Sequence, residues 1–346
     1  MRAVVAYAAK DLRIEEVATP DVGPHEVRVR VGFGGICGSD LHYFNHGGFG
    51  AVRLREPMIL GHEVAATVEE VGAMVTRVKP GDRVAVNPSL PCNACKYCLM
   101  GRQNQCLDMR FYGSAMRMPH VHGAFRESLV CAEEQVYPIS DGTSLEMAAL
   151  AEPLAVCVHA VRQVGDLVGR RVLVTGCGPI GALVMLAARR AGALEIVATD
   201  LTDATLQFAR TIGADRAINT STNPDALTPY ARDKGAFDAA FEASGASSAL
   251  RNCLETVRPG GVIVQLGLGG GDSPVPLQMV TAKELELRGS FRFHEEFGIA
   301  VDYIDKGMID VKPLISATLP FTQAREAFEL ANDRSKSMKV QLAFQV

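Results

Sequence analysis

One stretch restricts the possible folds of this chain more than any other: a glycine-rich turn between a strand pattern and a helix pattern. The β-branched run 171–175 leads into Gly176–Gly181, and apolar residues at helical spacing continue to about residue 190. A second short strand pattern follows at 195–199. Strand, helix and strand at this spacing predict a βαβ unit, whose two strands lie parallel in one sheet.

The same alternation continues after this unit. Further helix and strand patterns alternate along the chain at 204–212, 236–242, 248–257 and 261–266. Residues 151–290 are therefore predicted to form a doubly wound α/β domain with a parallel sheet.

The sequence before this domain has a different pattern. Glu26–Val31 alternates apolar and polar residues with period two, and turn residues separate further short strand patterns. We expect an all-β domain over residues 1–150. Residues 291–346 mix a helix pattern at 296–306 with a last strand at 339–344, and are expected to return to the first domain. A length of 346 residues agrees with two domains.

The glycine-rich turn matches a dinucleotide-binding pattern. Gly176-Cys177-Gly178-Pro179-Ile180-Gly181 fits G-x-G-x-x-G and has the strand before it and the helix after it that the pattern requires. Asp200 ends the next strand, where a carboxylate accepts hydrogen bonds from the ribose hydroxyls and repels a 2′-phosphate. We expect NAD rather than NADP at this turn; the alternative is a glycine-rich turn without a ligand.

Composition excludes several classes of function. Lys plus Arg is 35 and Asp plus Glu is 39, giving a net charge of −4, so no basic excess suits a nucleic-acid partner. No apolar run has the length of a membrane span, and the residues after Met1 do not resemble a signal peptide. We expect a cytoplasmic protein with no nucleic-acid or membrane partner.

Four of the nine cysteines form a cluster in the sequence. The spacing C-x2-C-x2-C-x7-C lies in a loop-like stretch and comprises Cys92, Cys95, Cys98 and Cys106. Four thiolates can surround one tetrahedral zinc ion and leave no open position, which predicts a structural zinc site. The alternatives are redox thiols or unrelated cysteines.

A second set of residues offers different ligands. Cys37, His62 and Glu63 supply a thiolate, an imidazole and a carboxylate. Three protein ligands leave a position for substrate or water, as a catalytic zinc requires. Each residue alone is weak evidence, because a histidine after glycine is more often a turn or core residue.

Five motifs resemble those of the zinc-containing medium-chain dehydrogenases, in their sorbitol dehydrogenase-like branch. In chain order they are Gly35–His42, Gly61–Glu63, the four cysteines, Ala151–Ala155 and the glycine-rich turn. The resemblance covers nearly the whole chain. It implies a GroES-like β domain, a Rossmann domain and a C-terminal return to the first domain. A narrower resemblance to that branch's L-idonate 5-dehydrogenases rests on Asn104–Met116, Pro119–Val121 and Arg288–Phe293.

The resemblance also implies the metal ligands. It assigns Cys37, His62 and Glu152 to the catalytic zinc, with Glu63 binding directly or through water, and Asp40 as a carboxylate that orients His62. With the four-cysteine site, this makes two zinc ions per chain. Glu152 could instead be an acidic residue favoured by the start of a helix.

The implied reaction is reversible NAD-linked oxidation of a secondary alcohol in a sugar acid, most simply L-idonate to 5-keto-D-gluconate. Ser39 would take the hydroxyl proton and His42 would pass it on, and Arg292 would meet the substrate carboxylate. Further implied contacts are Tyr43 and Arg110 with substrate, and Leu201, Phe291 and Arg292 with cofactor. The alternatives are a polyol dehydrogenase for sorbitol or xylitol and a non-catalytic NAD-binding protein. The family suggests a homodimer or homotetramer.

Overall fold

The computed structural model describes residues 1–269 and 272–345, which form two compact units. Unit 1 consists of Met1–Glu152, Phe297–Asp333 and the described residues from Lys339 onward. Unit 2 consists of the described residues of Pro153–Glu296, together with the short segment Arg334–Met338.

The regular elements follow one another along both units. The strands are β1 (Arg2–Ala8), β2 (Asp11–Glu16), β3 (Glu26–Gly35), β4 (Gly48–Phe49), β5 (Val52–Arg53), β6 (Met58–Ile59), β7 (Glu63–Val71), β8 (Arg83–Val86), β9 (Ser89–Leu90), β10 (Arg110–Phe111), β11 (Ser128–Ala132), β12 (Val136–Pro138), β13 (Arg171–Thr175), β14 (Glu195–Asp200), β15 (Arg216–Asn219), β16 (Phe237–Glu242), β17 (Val257–Gln265), β18 (Glu286–Gly289), β19 (Ile315–Pro320) and β20 (Lys339–Ala343). The α-helices are α1 (Gly38–His46), α2 (Lys96–Leu99), α3 (Leu145–Ala148), α4 (Ala151–Val164), α5 (Pro179–Arg190), α6 (Asp203–Thr211), α7 (Thr228–Ala231), α8 (Ser247–Thr256), α9 (Leu277–Ala282), α10 (Glu296–Asp305) and α11 (Ala324–Asn332). Short 3-10 helices lie at Gln103–Gln105, Glu133–Gln135, Pro224–Leu227, Arg232–Lys234, Lys312–Leu314 and Phe321–Gln323.

Unit 1 is built around a sheet that, within the described residues, has seven strands. Its order is β12-β8-β7-β3-β20-β19, and β11 also pairs with β3. β3 alternates as its sequence predicts, because Val27, Val29 and Val31 are fully buried while Arg30 is exposed. β20 pairs with β3 in antiparallel register, Gln341 opposite Gly35. The C-terminal strand therefore belongs to the sheet of unit 1.

Helix α1 departs from the prediction that the first 150 residues contain only strands and turns. Asp40 accepts a hydrogen bond from the backbone N–H of Cys37 at 3.0 Å, which fixes the start of the helix. Gly47 ends it in the left-handed conformation, with φ 65°. Leu41 and Phe44 are buried three positions apart, on one face of the helix. The all-β prediction is wrong here, because nine residues with glycines at both ends resemble a turn in sequence.

Unit 2 contains a parallel sheet of six strands among the described residues, in the order β15-β14-β13-β16-β17-β18. Val172, Leu173 and Val174 on β13 are fully buried, as expected for a strand covered on both faces. The strand order reverses between β13 and β16, so their carboxyl ends border the kind of crevice that binds ligands in doubly wound sheets. The predicted doubly wound α/β fold is confirmed.

Two separate helices, α3 and α4, precede the first strand of the unit 2 sheet. Pro153 lies in the first turn of α4, where its missing N–H leaves no hydrogen bond unmade. None of the described helices has the length and hydropathy that spanning a bilayer requires.

Candidate functional site

Asp40 ties together two segments that carry candidate metal ligands. Its Oδ2 accepts a hydrogen bond from the N–H of Cys37 at 3.0 Å, and its Oδ1 accepts one from the N–H of Gly61 at 3.1 Å. Gly61 has φ 90°, and a Cβ there would lie 2.1 Å from Cδ1 of Phe125, so only glycine fits this turn. Cys37 at the start of α1 is thereby fixed relative to His62, which precedes β7.

His62 is buried with an imidazole nitrogen that has no protein partner. Its Nδ1 lies 3.8 Å from Oδ1 of Asp40, beyond hydrogen-bond distance, and it finds no other acceptor or donor in the described part of the chain. The ring of Phe111 packs against it with 5.4 Å between centroids. A buried, unpaired ring nitrogen is costly unless another group binds it, so His62 fits a metal-ligand role. The structure shows no hydrogen bond by which Asp40 orients His62.

Glu63 forms a buried ion pair that the sequence analysis did not include. Its Oε1 and Oε2 lie 2.8 Å and 2.7 Å from Nζ of Lys339, which also donates a hydrogen bond to the carbonyl of Ile36. Burial lowers the pKa of Lys339, but the negative charges of Glu63 and Cys37 outweigh it and the pKa is raised. Lys339 is therefore charged, and it offsets part of the negative charge of the candidate ligands. Nothing in its local sequence indicates this role.

Cys37, His62 and Glu63 converge on one point of unit 1. One ligand atom from each lies within 4.8 Å of the other two. Sulfur, nitrogen and oxygen at these distances suit zinc with an open fourth position. Burial, and then the carboxylate of Glu63, raise the pKa of the Cys37 thiol to about 11. A bound cation would stabilise the thiolate, so the residues present fit a metal ion.

Glu152 lies in the first turn of α4 and is not part of this set of three. It is buried, and burial raises the pKa of its carboxyl to about 8. His62 lowers that pKa, while Glu63 and Cys37 raise it. Glu152 therefore interacts electrostatically with the cluster, whereas the carboxylate of Glu63 lies inside it.

Apart from Arg292, the side chains predicted to move protons or contact substrate lie on α1 and β10. Ser39 is partly buried in the first turn of α1, and His42, three positions further on, is exposed. Tyr43 is only 1% exposed, and its hydroxyl accepts a hydrogen bond from the N–H of Ala115, so it lies in the core. Arg110 is exposed on β10, next to the residue that packs on His62.

The four clustered cysteines form a second convergent set. The sulfur atoms of Cys92, Cys95, Cys98 and Cys106 all lie within 4.8 Å of one another. Backbone N–H groups donate to them, from Cys92 to Sγ of Cys106 at 3.2 Å and from Cys95 to Sγ of Cys92 at 3.3 Å. Backbone donors lower the pKa of Cys95 to about 6, whereas burial raises that of Cys98 to about 12. Four sulfurs at this spacing fit one tetrahedral zinc ion.

In unit 2, close packing explains two of the three glycines of the G-x-G-x-x-G turn. Gly176 has φ 84°, and a Cβ there would lie 2.9 Å from the backbone nitrogen of Ser244. A Cβ on Gly181 would lie 1.8 Å from the carbonyl oxygen of Gly176. The turn therefore packs against the loop after β16 and against the start of α5, where Pro179 occupies the first helical position. The turn leads into the N-terminus of α5, whose first backbone N–H groups have no partner within the helix, and such a terminus suits a phosphate.

The carboxylate of Asp200 is fixed beside this turn. Its Oδ2 accepts a hydrogen bond from the N–H of Cys177 at 2.6 Å, and its Oδ1 accepts bonds from Leu201 and Thr202 at 2.7 Å and 3.0 Å. Leu201 is 68% exposed. A negative charge therefore lies at the end of β14, as the sequence pattern predicts.

Phe291 and Arg292 follow β18 in unit 2. The guanidinium carbon of Arg292 lies 4.9 Å from the centre of the Phe291 ring. Arg292 has φ 55°, a left-handed conformation that non-glycine residues rarely adopt. Backbone strain of this kind concentrates at functional sites.

Glu242 is a second buried residue that the sequence analysis did not identify. It ends β16, and its carboxylate accepts hydrogen bonds from the Thr175 hydroxyl at 3.3 Å and the Gly245 N–H at 2.9 Å. The Ser244 hydroxyl and the Gln265 amide also donate to it. Glu242 therefore links the loops that follow β13, β16 and β17. An acidic residue that ends the otherwise apolar run Ala239–Glu242 is the one local signal for it.

Two family models match this chain. Residues 23–141 match the family model of the alcohol dehydrogenase GroES-like domain, and residues 179–306 match that of the zinc-binding dehydrogenases.

Individual relatives match over nearly the full length. The chain is 43% identical over 316 residues to L-idonate 5-dehydrogenase (NAD(P)(+)) of Escherichia coli K12, covering 91% of each. It is 36% identical over 336 residues to sorbitol dehydrogenase of Arabidopsis thaliana, covering 95% of this chain and 91% of the relative. The crystal structure of the E. coli L-idonate 5-dehydrogenase superimposes with a TM-score of 0.95 at 41% identity, over 99% of this chain and 97% of the other.

Proposed function

The chain belongs to the zinc-binding dehydrogenases of the alcohol dehydrogenase family, and we propose that it oxidises L-idonate to 5-keto-D-gluconate with reduction of NAD. The assignment of L-idonate as substrate rests on the 43% identity to an L-idonate 5-dehydrogenase across 91% of both chains. The cluster of Cys37, His62 and Glu63 supports the chemistry, because its ligand atoms lie within 4.8 Å of one another.

Cys37 and His62 would hold the catalytic zinc, together with Glu152 or Glu63. When bound there, zinc supplies Lewis acidity that lowers the pKa of the substrate hydroxyl. The ion pair of Glu63 with Lys339 supports Glu152 as the direct ligand, with Glu63 acting through water, whereas the place of Glu63 in the convergent set supports direct binding by Glu63. The four-cysteine set would hold a structural zinc, giving two zinc ions per chain.

Ser39 would accept the proton of the substrate hydroxyl, and His42 would deliver it to solvent. The two residues are three positions apart on α1, so they lie on neighbouring turns of one helical face. Ser39 is partly buried and His42 is exposed. This gradient of exposure supports a proton path along the helix, completed by the ribose of the cofactor.

The dinucleotide would bind at the carboxyl edge of the unit 2 sheet and accept the hydride. Gly176, Gly178 and Gly181 leave room for its pyrophosphate, with Pro179 and Ile180 opening the helix behind it. The fixed carboxylate of Asp200 supports NAD over NADP, since a 2′-phosphate would meet like charge. Leu201 and Phe291 are exposed apolar side chains suited to the flat faces of the cofactor.

Arg292 is the proposed partner of the substrate carboxylate, and Arg110 is the second choice. A guanidinium binds a carboxylate through two parallel hydrogen bonds. The strained backbone of Arg292 supports a functional role, whereas Arg110 stands on an exposed two-residue strand. Arg292→Ala should lower kcat/KM for L-idonate far more than for sorbitol. An equal loss for both substrates would remove the carboxylate assignment.

Further parts of the proposal concern assembly and location. Residues 1–150 and 291–346 would carry the zinc sites, and residues 151–290 the cofactor. All nine cysteines lie among the described residues and none of them forms a disulfide there, which supports a reducing cytoplasm. A homodimer or homotetramer is proposed by analogy with the family.

The test follows NADH absorbance with NAD and matched concentrations of L-idonate, D-gluconate, sorbitol and xylitol, on protein whose zinc content is measured. Strong preference for L-idonate and two zinc ions per chain are expected. Preference for a neutral polyol would leave the zinc chemistry but replace the substrate, in line with the sorbitol dehydrogenase relative. One zinc per chain without turnover would favour a non-catalytic NAD-binding protein.

A further inference from the structure

A short C-terminal segment, Arg334–Met338, belongs to unit 2 although the residues before and after it belong to unit 1. The chain leaves α11, contributes these residues to unit 2, and enters β20. Within the segment, Arg334 is exposed at the surface. Arg334 lies next to the G-x-G-x-x-G turn, and it is not among the proposed ligands of zinc, substrate or cofactor.

The guanidinium of Arg334 lies directly over the middle glycine of that turn. A Cβ on Gly178 would be 2.8 Å from Nη1 of Arg334 and 3.9 Å from its Cζ. Gly178 has φ −67° and ψ −172°, which any residue can adopt. Glycine is therefore not required there by backbone conformation. A side chain at this position would instead displace the guanidinium.

Gly178 is also the N-cap of α5, a helix of 12 residues whose first backbone N–H groups have no partner within the helix. The helix terminus carries partial positive charge, and Arg334 adds a full positive charge at the same place. In the stretches 1–269 and 272–345, no carboxylate forms an ion pair with Arg334 and no group accepts a hydrogen bond from its guanidinium. The charge is thus available to an anion at the helix terminus.

We propose that Arg334 binds the pyrophosphate of the dinucleotide, an inference that rests on the cofactor site proposed above. An arginine fork matches two phosphate oxygens, while the N–H groups of α5 bind the others. The adenosine ribose is assigned to Asp200 at the end of β14, so the phosphate met at the start of α5 is the pyrophosphate and not a 2′-phosphate. Arg334 is accordingly a determinant of affinity for NAD and NADP alike.

Binding measurements on the zinc-loaded enzyme test this without catalysis. Dissociation constants are measured for NADH and NADPH by fluorescence, and for ADP-ribose and adenosine by competition with NADH. Arg334→Gln should weaken NADH, NADPH and ADP-ribose by about tenfold each and leave adenosine unchanged. Arg334→Lys, which keeps the charge without the fork, should lie between Arg334→Gln and the unmodified enzyme.

The matched control is Arg232→Gln. Arg232 is an exposed arginine of the same unit, but it precedes β16 and so lies at the opposite, amino edge of the parallel sheet. It should bind all four compounds like the unmodified enzyme. Melting temperatures of the three variants verify that each is folded. If Arg334→Gln is not folded, the affinities of Arg334→Lys are compared with those of the unmodified enzyme instead.

The possible outcomes distinguish a failure of the role proposed for Arg334 from a failure of the proposed dinucleotide site. Unchanged affinity for ADP-ribose in Arg334→Gln would overturn the role of Arg334 and leave the cofactor site standing. Equal weakening of adenosine would also overturn it, because the residue would then act through the shape of the site. Weakening of NADPH alone would assign Arg334 to a 2′-phosphate instead. If the unmodified enzyme binds neither NADH nor ADP-ribose, the proposed cofactor site itself is refuted.

Discussion

Replacing Lys339 by methionine removes the positive charge that accompanies Glu63 in the core of unit 1. Nζ of Lys339 lies 2.8 Å and 2.7 Å from the two carboxylate oxygens. The side chains are 3% and 1% exposed, so water cannot solvate either charge once its partner is removed. Methionine has a side chain of similar length and fills most of the space. Lys339→Met therefore changes the charge far more than the packing.

The expected loss follows from that burial. Breaking a buried ion pair by removing one partner costs about 3–5 kcal/mol, because the remaining ion keeps its desolvation penalty and loses the attraction. Since the pKa of Lys339 is raised, Lys339 is charged at neutral pH and the whole loss is expected there. We predict that Lys339→Met lowers the free energy of unfolding by about 3–5 kcal/mol at pH 7.

Urea unfolding followed by circular dichroism measures this loss, with zinc content determined on each sample. Lys79→Met is the control, because Lys79 is an exposed lysine of the same unit, and it should change stability by less than about 0.5 kcal/mol. The double variant Lys339→Met with Glu63→Gln has no charge left in the pair. It should recover at least half of the loss.

The reasoning fails if Lys339→Met unfolds at the same urea concentration as the Lys79→Met control. It fails equally if the double variant is no more stable than Lys339→Met, because the loss would then come from packing. A loss of one zinc per chain in Lys339→Met alone would indicate that the released carboxylate disturbs the metal ligands.

Four further changes have defined outcomes. Cys95→Ser should reduce zinc from two ions per chain to one, by elemental analysis, without altering NADH affinity; two remaining ions would exclude the four-cysteine site. Asp200→Ala should raise kcat/KM with NADP relative to NAD, and an unchanged ratio would refute its role. Glu242→Ala leaves several buried donors unpaired and should cost about 2–4 kcal/mol of stability and weaken NADH binding; a shift in neither contradicts its linking role. Burial raises the pKa of the Glu296 carboxyl, but His159 and backbone donors lower it to about 2, below the ordinary 4.5. The ionised carboxylate therefore stabilises the fold above pH 4.5, and this stabilisation is lost as the pH falls toward 2. The deficit of Glu296→Gln in urea, up to about 3 kcal/mol at pH 6, should shrink over that range, and a constant deficit would refute the assignment.

Local patterns were sufficient to predict the parts of the molecule whose residues are close in sequence. The glycine-rich turn, its helix and Asp200 lie within one βαβ unit, so strand and helix periodicity predicted the sheet and the position of the turn in it; the cofactor site there stays a prediction. The four cysteines converge because their gaps of two, two and seven residues leave the chain little freedom. The parallel sheet of unit 2 followed from the repeated strand–helix alternation.

Long-range contacts explain what the sequence did not reveal. Lys339 and Glu63 are 276 positions apart and meet only because β20 pairs with β3 in one register. Glu242 and Thr175 are 67 positions apart and meet because β16 lies beside β13. Helix α1 is short and bounded by glycine, so its burial pattern covers too few turns to be distinguished from a loop. In each case the deciding interaction is tertiary.

The pairing of β20 with β3 has a consequence for how the protein is made. Lys339 and the carbonyl of Ile36 that it contacts are 303 positions apart, so most of the chain is synthesised before they meet. Until β20 arrives, Phe33–Gly35 is paired with β7 on one side only, and its other side presents unpaired backbone groups next to the candidate zinc ligand Cys37. On the ribosome, unit 1 therefore carries an open sheet edge throughout translation of unit 2, which makes chaperone supply and translation speed determinants of its yield.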